Sequence, residues 1–219
     1  MKNSAGGRGR FITLEGGEGG GKSTQIRHLL PWLKEQGIDA LATREPGGSP
    51  GAERIRELLV TGHADRWTPL TEVLLHYAAR QDHIRAVIEP TLAAGRWVVC
   101  DRFFDSTLAY QGYGHGVALD FIETLSRQIV GDSYRPDVTV ILDLPPAEGL
   151  RRSHARDNAE RRYESMPIDF HERLRRGFLT IAEREPKRCV VIDASQAIDE
   201  VQSAIRLAIG KRLAVTAHG

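Results

Sequence analysis

The sequence predicts an α/β fold: a five-stranded parallel sheet with helices on both faces and a short lid. Three observations predict it. Short β-branched runs alternate with helical patterns along the chain, the order that builds a parallel sheet with covering helices. Most of those runs are almost continuously apolar, as strands buried on both faces should be. The first run leads through Gly16-Gly17-Glu18-Gly19-Gly20-Gly21-Lys22-Ser23 directly into a helical pattern, the strand–loop–helix context of the phosphate-binding loop G-x-x-x-x-G-K-[ST].

Residues 1–10 are polar and Gly-rich and read as a flexible tail. The first strand is 11–15. The glycines after it let the backbone wrap a polyphosphate with its N–H groups pointing inward. Lys22 can reach the terminal phosphates and the Ser23 hydroxyl can ligate Mg²⁺, while the helix beginning near Thr24 presents its positive end. The nucleoside-triphosphate site is therefore placed on Gly16 to Thr24. The helix that follows carries Ile26, Leu29, Leu30 and Leu33 on one face, should bend at Pro31 and should end at Gly37.

Further strands are predicted at 39–43, 97–100, 138–142 and 189–193. A short helix follows Pro50. The longest helical pattern runs over 69–94, with a kink expected at Pro90. Others cover 117–130, the stretch opened by Pro145 and Pro146, 169–184, and the segment around Ile198 to Ile209. The segment 151–167 is almost wholly charged or polar and reads as a lid. Residues 11–214 are expected to be one domain, with a second flexible tail at 215–219.

Composition narrows the function. Lys plus Arg number 30 against 29 Asp plus Glu in 219 residues, which argues against a general nucleic-acid binder. No apolar run approaches membrane-spanning length. Cys100 and Cys189 each sit in an apolar strand-like run without metal-ligand spacing, which suggests a reduced, cytoplasmic protein. The guanine-reading N-K-x-D and the switch tetrapeptide D-x-x-G are both missing from the sequence. A nucleotide switch and other nucleotide kinases nevertheless share the loop, and remain the alternatives at this point.

Three further groups can carry chemistry. Asp101-Arg102 follows the 97–100 strand and should face the same crevice as the loop, because ligands in such sheets bind beyond the strands' carboxyl ends. There Asp101 can hold Mg²⁺ and Arg102 can grip a phosphate. The lid is dense in arginine, at Arg151, Arg152, Arg156, Arg161 and Arg162. Arginines carried by a closing segment can stabilise a transferring phosphoryl group. Arg151 and Arg152 read instead as a solvated helix end. His76 and Arg80 share one helical face with His83, which taken alone reads as solvent-facing.

Together these segments resemble the thymidylate kinases, nucleoside monophosphate kinases acting on dTMP. The resemblance rests on residues 11–23 with the internal carboxylate Glu18, on Thr43-Arg44-Glu45-Pro46-Gly47-Gly48, and on Tyr77-Ala78-Ala79-Arg80. It rests also on Asp101-Arg102-Phe103 with Ser106-Thr107-Leu108-Ala109-Tyr110-Gln111-Gly112, on Arg135-Pro136-Asp137 and on Leu142-Asp143. It implies a P-loop NTPase fold of the nucleoside monophosphate kinase kind. It implies the reaction ATP + dTMP → ADP + dTDP, with Mg²⁺ as cofactor, feeding dTTP synthesis for DNA replication, in a homodimer with no nucleic-acid or membrane partner.

The resemblance also implies roles. Glu18 approaches the sugar 3′-hydroxyl. Arg102, with Arg44, binds the acceptor phosphate, and Ser106 belongs to the substrate-binding set. Arg80 bonds the thymine edge, and Thr107, Tyr110 and Gln111 line the nucleoside pocket. Residues 16–21 carry no arginine, so the chain resembles the bacterial type whose catalytic arginine sits in the lid, with Arg156 the first candidate and Arg162 the second. Ala194-Ser195-Gln196 would frame the adenine. His76 departs from the phenylalanine common at the base-stacking position. A protonatable ring there predicts weaker dTMP binding at mildly acidic pH.

Overall fold

A computed structural model describes residues 7–62, 66–154 and 162–215. Five strands form one parallel sheet: β1 (Phe11–Glu15), β2 (Ala40–Arg44), β3 (Trp97–Asp101), β4 (Val138–Asp143) and β5 (Cys189–Asp193), in the order β2-β3-β1-β4-β5. All five predicted strands are present, two with the predicted bounds. The register sets Leu14 beside Asp101 on one side and beside Val140 on the other. The turn after β1, the Asp101-Arg102 pair and the end of β4 therefore share one edge of the sheet.

The two faces have separate cores. Phe11, Val98, Cys100 and Ile141 pack under α3 (Pro69–His83), α6 (Leu119–Ile129) and α8 (Ile168–Arg184). Ile12, Leu14, Val99, Val140 and Leu142 pack under α1 (Lys22–Glu35) and α9 (Ile198–Leu213). Period-two alternation along each strand sends neighbouring residues to opposite cores. Between β1 and β4 the buried hydroxyls of Thr13 and Thr139 bond each other at 2.7 Å.

Helices α2 (Pro50–Val60) and α7 (Pro146–His154) complete the cover. Helix α1 runs through Pro31, and Gly37 follows with φ 74°. Residues 7–10 are docked: Gly9 N–H donates to Leu92 O, and Arg8 and Arg10 pair with Asp137. The tail expected over 1–10 therefore does not extend through 8–10; residues 1–6 and 216–219 lie outside the described residues.

Two departures from the predicted pattern involve π-helical turns. The 69–94 helix is continuous, but Ile84–Ile88 is π-helical before α4 (Glu89–Ala93). Pro90 has no N–H and its ring crowds the carbonyl four residues back, so the ladder loosens just ahead of it. The second begins at α5 (Phe104–Thr107) and continues as a π-helix over Leu108–Gly114. No element was predicted there.

Candidate active site

Along the shared strand edge lies a cavity of about 390 Å³, lined by the loop after β1, the ends of β2 and β3, one face of α3, the π-helical segment, and residues 162–164. The loop is built to fit tightly. A Cβ on Gly16, at φ 130°, would lie 2.4 Å from Leu142 O, and one on Gly19, at φ 68°, would lie 2.1 Å from Gly149 O. Only glycine allows both the left-handed backbone and this approach to β4 and α7.

Lys22 is buried, with Nζ donating to Gly17 O at 2.9 Å and Gly16 O at 3.1 Å. Burial, reinforced by Arg102, lowers its pKa to about 8, against the pull of Asp101, Glu18 and Glu15. Ser23 Oγ donates to Asp101 Oδ2 at 2.7 Å. Two oxygens so spaced are close to the roughly 2.9 Å edge of a Mg²⁺ octahedron, so the donor set fits that ion. Among the described residues no group of three or more His, Cys, Asp or Glu could hold a metal. The remaining ligands would be waters and phosphate oxygens, which is how Mg²⁺ commonly binds beside a polyphosphate.

Arg102 stands at the centre, at φ 67°. Nη1 donates to Gly16 O at 2.9 Å and to Ser106 Oγ at 3.3 Å, and Nη2 donates to Glu18 Oε1 at 3.2 Å. Its guanidinium lies 4.9 Å from the centroid of the Tyr110 ring. The Tyr110 hydroxyl donates to Glu18 Oε1 at 2.5 Å. Burial works to raise the Glu18 pKa, but Arg102, Lys22 and the Tyr110 bond outweigh it and the pKa falls, so Glu18 is an anion. Arg44 lines the cavity from its rim, where it pairs with Glu53 at 3.1 Å and is half exposed.

The other end of the cavity is walled by α3 and the π-helical segment. Arg80, expected to face solvent on the helical pattern alone, is 1% exposed. Nε pairs with Glu45 at 2.8 Å, Nη2 donates to Thr107 Oγ1 at 3.1 Å, and the guanidinium stacks over Tyr77 and Phe103. His83 is also buried, with Nδ1 3.0 Å from Glu45 and Nε2 2.7 Å from Thr43 Oγ1. The π-helix brings both Tyr110 and Gln111 inward. Gln111 Nε2 donates to Glu72 and to the Tyr163 hydroxyl. The buried polar atoms of the cavity lining with no hydrogen-bond partner among the described residues include Arg80 Nη1, a donor, and Gln111 Oε1, an acceptor.

Arg162, a lid candidate, is seated in this wall. It pairs with Glu72 and donates Nη1 to Leu59 O at 3.0 Å. Arg156 and Arg161 lie outside the described residues. Arg151 and Arg152 end α7, and Arg152 bonds the carbonyls of Ala194 and Ser195, the segment suggested for the adenine.

His76 lines the cavity, half-buried. Burial, then the charges of Arg80, Arg162 and Arg102, lower its pKa to about 3. The imidazole is therefore neutral at mildly acidic pH, and the loss of dTMP binding expected there does not follow. The effect moves to stability. A neutral His76 contributes fully above its unfolded pKa of about 6.5, and that contribution falls as the pH drops toward 3, by at most about 1.4 kcal/mol per pH unit. His76→Phe should therefore flatten the acid dependence of urea unfolding between about pH 7 and pH 5. Equal slopes in the two proteins would exclude His76 as the cause.

Glu45, Glu72, Arg56 and Tyr163 were given no role from the sequence, yet all line this cavity or bond a residue that does. One signal was available for Glu72. It stands at i−4 from His76, as His76 does from Arg80, so the three form a polar stripe on a helix that is otherwise half apolar.

Comparison with known proteins agrees with this geometry. The thymidylate kinase family model matches residues 14–205. The chain is 57% identical over 206 residues to a thymidylate kinase of Caulobacter vibrioides, covering 94% of this chain and 98% of that one. It is 52% identical to one of Magnetococcus marinus, covering 90% and 94%. A crystal structure of thymidylate kinase from Ehrlichia chaffeensis matches with a TM-score of 0.74 at 33% identity, over 92% of this chain and 99% of that chain. A cavity with a phosphate-binding loop at one end and Arg80, Thr107 and Gln111 at the other, together with near full-length likeness on both measures, places this chain in the thymidylate kinase family.

Proposed function

We infer that the chain phosphorylates dTMP to dTDP with ATP, the reaction of its family, and we propose a role for each residue at the site. One observation carries the acceptor assignment. Arg80 Nη1 and Gln111 Oε1 are an unpaired buried donor and acceptor on facing walls of one cavity. A thymine edge offers the complement, the O4 acceptor and the N3–H donor, whereas cytosine offers the reverse pattern. Buried polar groups left unpaired discriminate strongly against the wrong partner.

In this reading the triphosphate lies on Gly16 to Thr24 with Lys22 on the transferring group. Ser23 and Asp101 would hold Mg²⁺, which when bound shields phosphate charge and orients the donor. Arg102, helped by Ser106 and Arg44, holds the acceptor phosphate. Glu18, anionic and turned toward Tyr110, faces the acceptor sugar, and Tyr110 crowds the 2′ position. Thr107 lines the nucleoside pocket with His76 against the base. Transfer is in line and needs no covalent intermediate, since positioning and charge neutralisation suffice. Arg156 is the lid residue proposed to meet the transferring phosphoryl group. Arg162, second in that role from sequence, is proposed here to orient Gln111 through Glu72.

The decisive experiment is an acceptor panel of dTMP, dUMP, dCMP and thymidine, repeated with Arg156→Ala. The expected order has dTMP first, dUMP reduced by the missing methyl, and dCMP lower by about 10³-fold or more. Arg156→Ala should lose transfer while keeping ATP binding. A dCMP rate near that of dTMP would overturn the base assignment.

Lys22 gives a second measurement. With its pKa at about 8 in the free protein, it is mostly neutral at pH 8.5, and a bound triphosphate restores its charge. ATP binding at that pH should take up roughly 0.7 proton per site, seen as a buffer-dependent enthalpy in titration calorimetry. Lys22→Met should abolish the uptake.

We further propose one catalytic domain over 11–214, with the lid at 151–167, acting as a homodimer in the cytoplasm. Leu70 and Leu74, one turn apart on α3 and 49% and 51% exposed, and the exposed Phe121 on α6, a helix that packs on α3, support a helix-packed partner. Cys100 and Cys189 are buried free thiols, in keeping with a reducing compartment. Among the described residues no helix is long and apolar enough to cross a membrane.

A further inference from the structure

Glu15 ends β1 directly before the phosphate loop, and its carboxyl bonds the segment that follows β3. It is fully buried. Oε1 accepts the Phe103 N–H at 2.7 Å, and Oε2 lies 2.5 Å from Ser106 Oγ. Among the described residues it makes no ion pair. The neighbouring buried carboxylate, Asp105, has taken the available cation: Arg188 Nη1 and Nη2 grip it at 2.7 and 2.8 Å. Arg102 is the other guanidinium nearby, and its bonds go to Gly16, Ser106 and Glu18.

Two buried carboxyls that sense each other, of which Asp105 alone is gripped by a guanidinium, favour the neutral form of the other. Burial, then the charge of Asp105, push the Glu15 carboxyl up to about 8, against the Ser106 bond, Arg102 and the Phe103 N–H. The other ionisable groups that sense it are Lys22, Cys100 and Cys189.

The consequence falls on Ser106. An ionised Glu15 would accept the Ser106 proton and turn that hydroxyl inward. A neutral Glu15 must donate from one oxygen. Oε1 is occupied by an N–H donor, so the proton sits on Oε2 and points at Ser106 Oγ. Ser106 Oγ then accepts from Glu15 and from Arg102 Nη1, and its own proton is free for the cavity it lines.

We propose that Glu15 is a positioning residue, held in its neutral form, which donates to Ser106 so that the Ser106 hydroxyl donates to the acceptor phosphate. The proposal rests on the reading that Arg102 and Ser106 hold that phosphate. It adds a proton donor beside Arg102 and removes a negative charge from directly behind the phosphate site.

The test compares E15Q, E15A, S106A and E15A/S106A in the full-length enzyme, with KM for dTMP, KM for ATP and kcat measured separately. Glutamine keeps the shape of a protonated carboxyl, with an amide donor in place of the O–H. E15A should raise KM for dTMP by about tenfold or more with KM for ATP little changed. E15Q should recover most of that loss. In the S106A background the same E15A change should cost less than about threefold, because its route to the phosphate is gone.

An infrared difference spectrum of wild type minus E15Q at neutral pH, without substrates, should show a protonated carboxyl band. Three results would each overturn the proposal: E15Q as impaired as E15A, an undiminished E15A effect in S106A, or a carboxylate band in place of the carboxyl one. If E15A does not fold, E15Q and the spectrum still decide. Failure of the dTMP reading itself would appear separately, as wild-type enzyme that does not phosphorylate dTMP while the infrared band persists.

Discussion

Arg102→Ala should lower kcat/KM for dTMP by about 10³-fold, close to 4 kcal/mol of transition-state stabilisation, with ATP binding retained. The size follows from what one guanidinium does here. It is held by Gly16 O, Ser106 Oγ and Glu18 Oε1 and stacked on the Tyr110 ring, so the acceptor phosphate meets a cation that is already oriented. Removing it also leaves the half-buried Glu18 carboxylate beside Tyr110 without its ion-pair partner, an anion facing an anionic substrate. Lysine should rescue the loss poorly, since a point charge on a flexible stem cannot serve three directions at once.

The backbone adds to the case. At φ 67° a non-glycine residue carries about 1–2 kcal/mol of strain, and strain of this kind persists where a site requires it. Arg102→Gly should therefore be more stable than Arg102→Ala in urea while being equally inactive. The measurements are steady-state kinetics with dTMP varied, and ATP affinity by calorimetry. A kcat/KM within about tenfold of wild type for Arg102→Ala would remove Arg102 from the acceptor site.

Glu45→Ala should cost about 3–5 kcal/mol of folding stability and raise KM for dTMP as well. Glu45 is the anion at the centre of a buried network: Arg80 Nε at 2.8 Å, His83 Nδ1 at 3.0 Å, with His83 bonded onward to Thr43. Truncation leaves Arg80 as an unpaired interior cation, and most of the penalty comes from that. The same network aims Arg80, whose free Nη1 is assigned to the thymine edge.

Stability and binding can be separated. In Glu45→Ala/Arg80→Leu no interior charge is left unpaired, so much of the folding free energy should return. Recognition of dTMP should not. Urea midpoints and dTMP kinetics on the single and double variants test both halves. A Glu45→Ala loss below about 1 kcal/mol would mean that water or another group reaches Arg80.

These two expectations differ in where their evidence lies along the chain. Arg102 was legible from sequence, because a charged pair directly after a buried apolar strand must emerge at the sheet's carboxyl edge. Glu45 was not. It occurs in a segment that was recognised, but nothing local shows that it turns inward to meet a helix residue 35 positions later. The same gap explains His83 and Arg80, which helical periodicity alone left on a solvent face. Periodicity says which residues share a side and is silent about what lies opposite.

Arg162 makes the point from the lid. Its sequence neighbourhood suggested a mobile cation, and its partner Glu72 lies 90 residues earlier. Tyr110 and Gln111 were tied to the nucleoside by resemblance. What brings both inward is a π-helical stretch, which puts more residues in each turn and which no propensity signal announced.

By itself the sequence determined the five strands, the helices that cover them and the phosphate-binding loop. Each depends on short-range properties: apolar periodicity, β-branching, and glycine's access to left-handed backbone. Only the tertiary structure decided which charged side chains are buried and which way they point. A buried charge is tolerable only beside its partner, and Glu45 with Arg80, Glu72 with Arg162, and Asp105 with Arg188 are partners brought together by the sheet rather than by the chain. Glu15 shows the same division. Sequence placed it next to the loop, and the neighbour that takes the cation, leaving Glu15 its proton, came from packing.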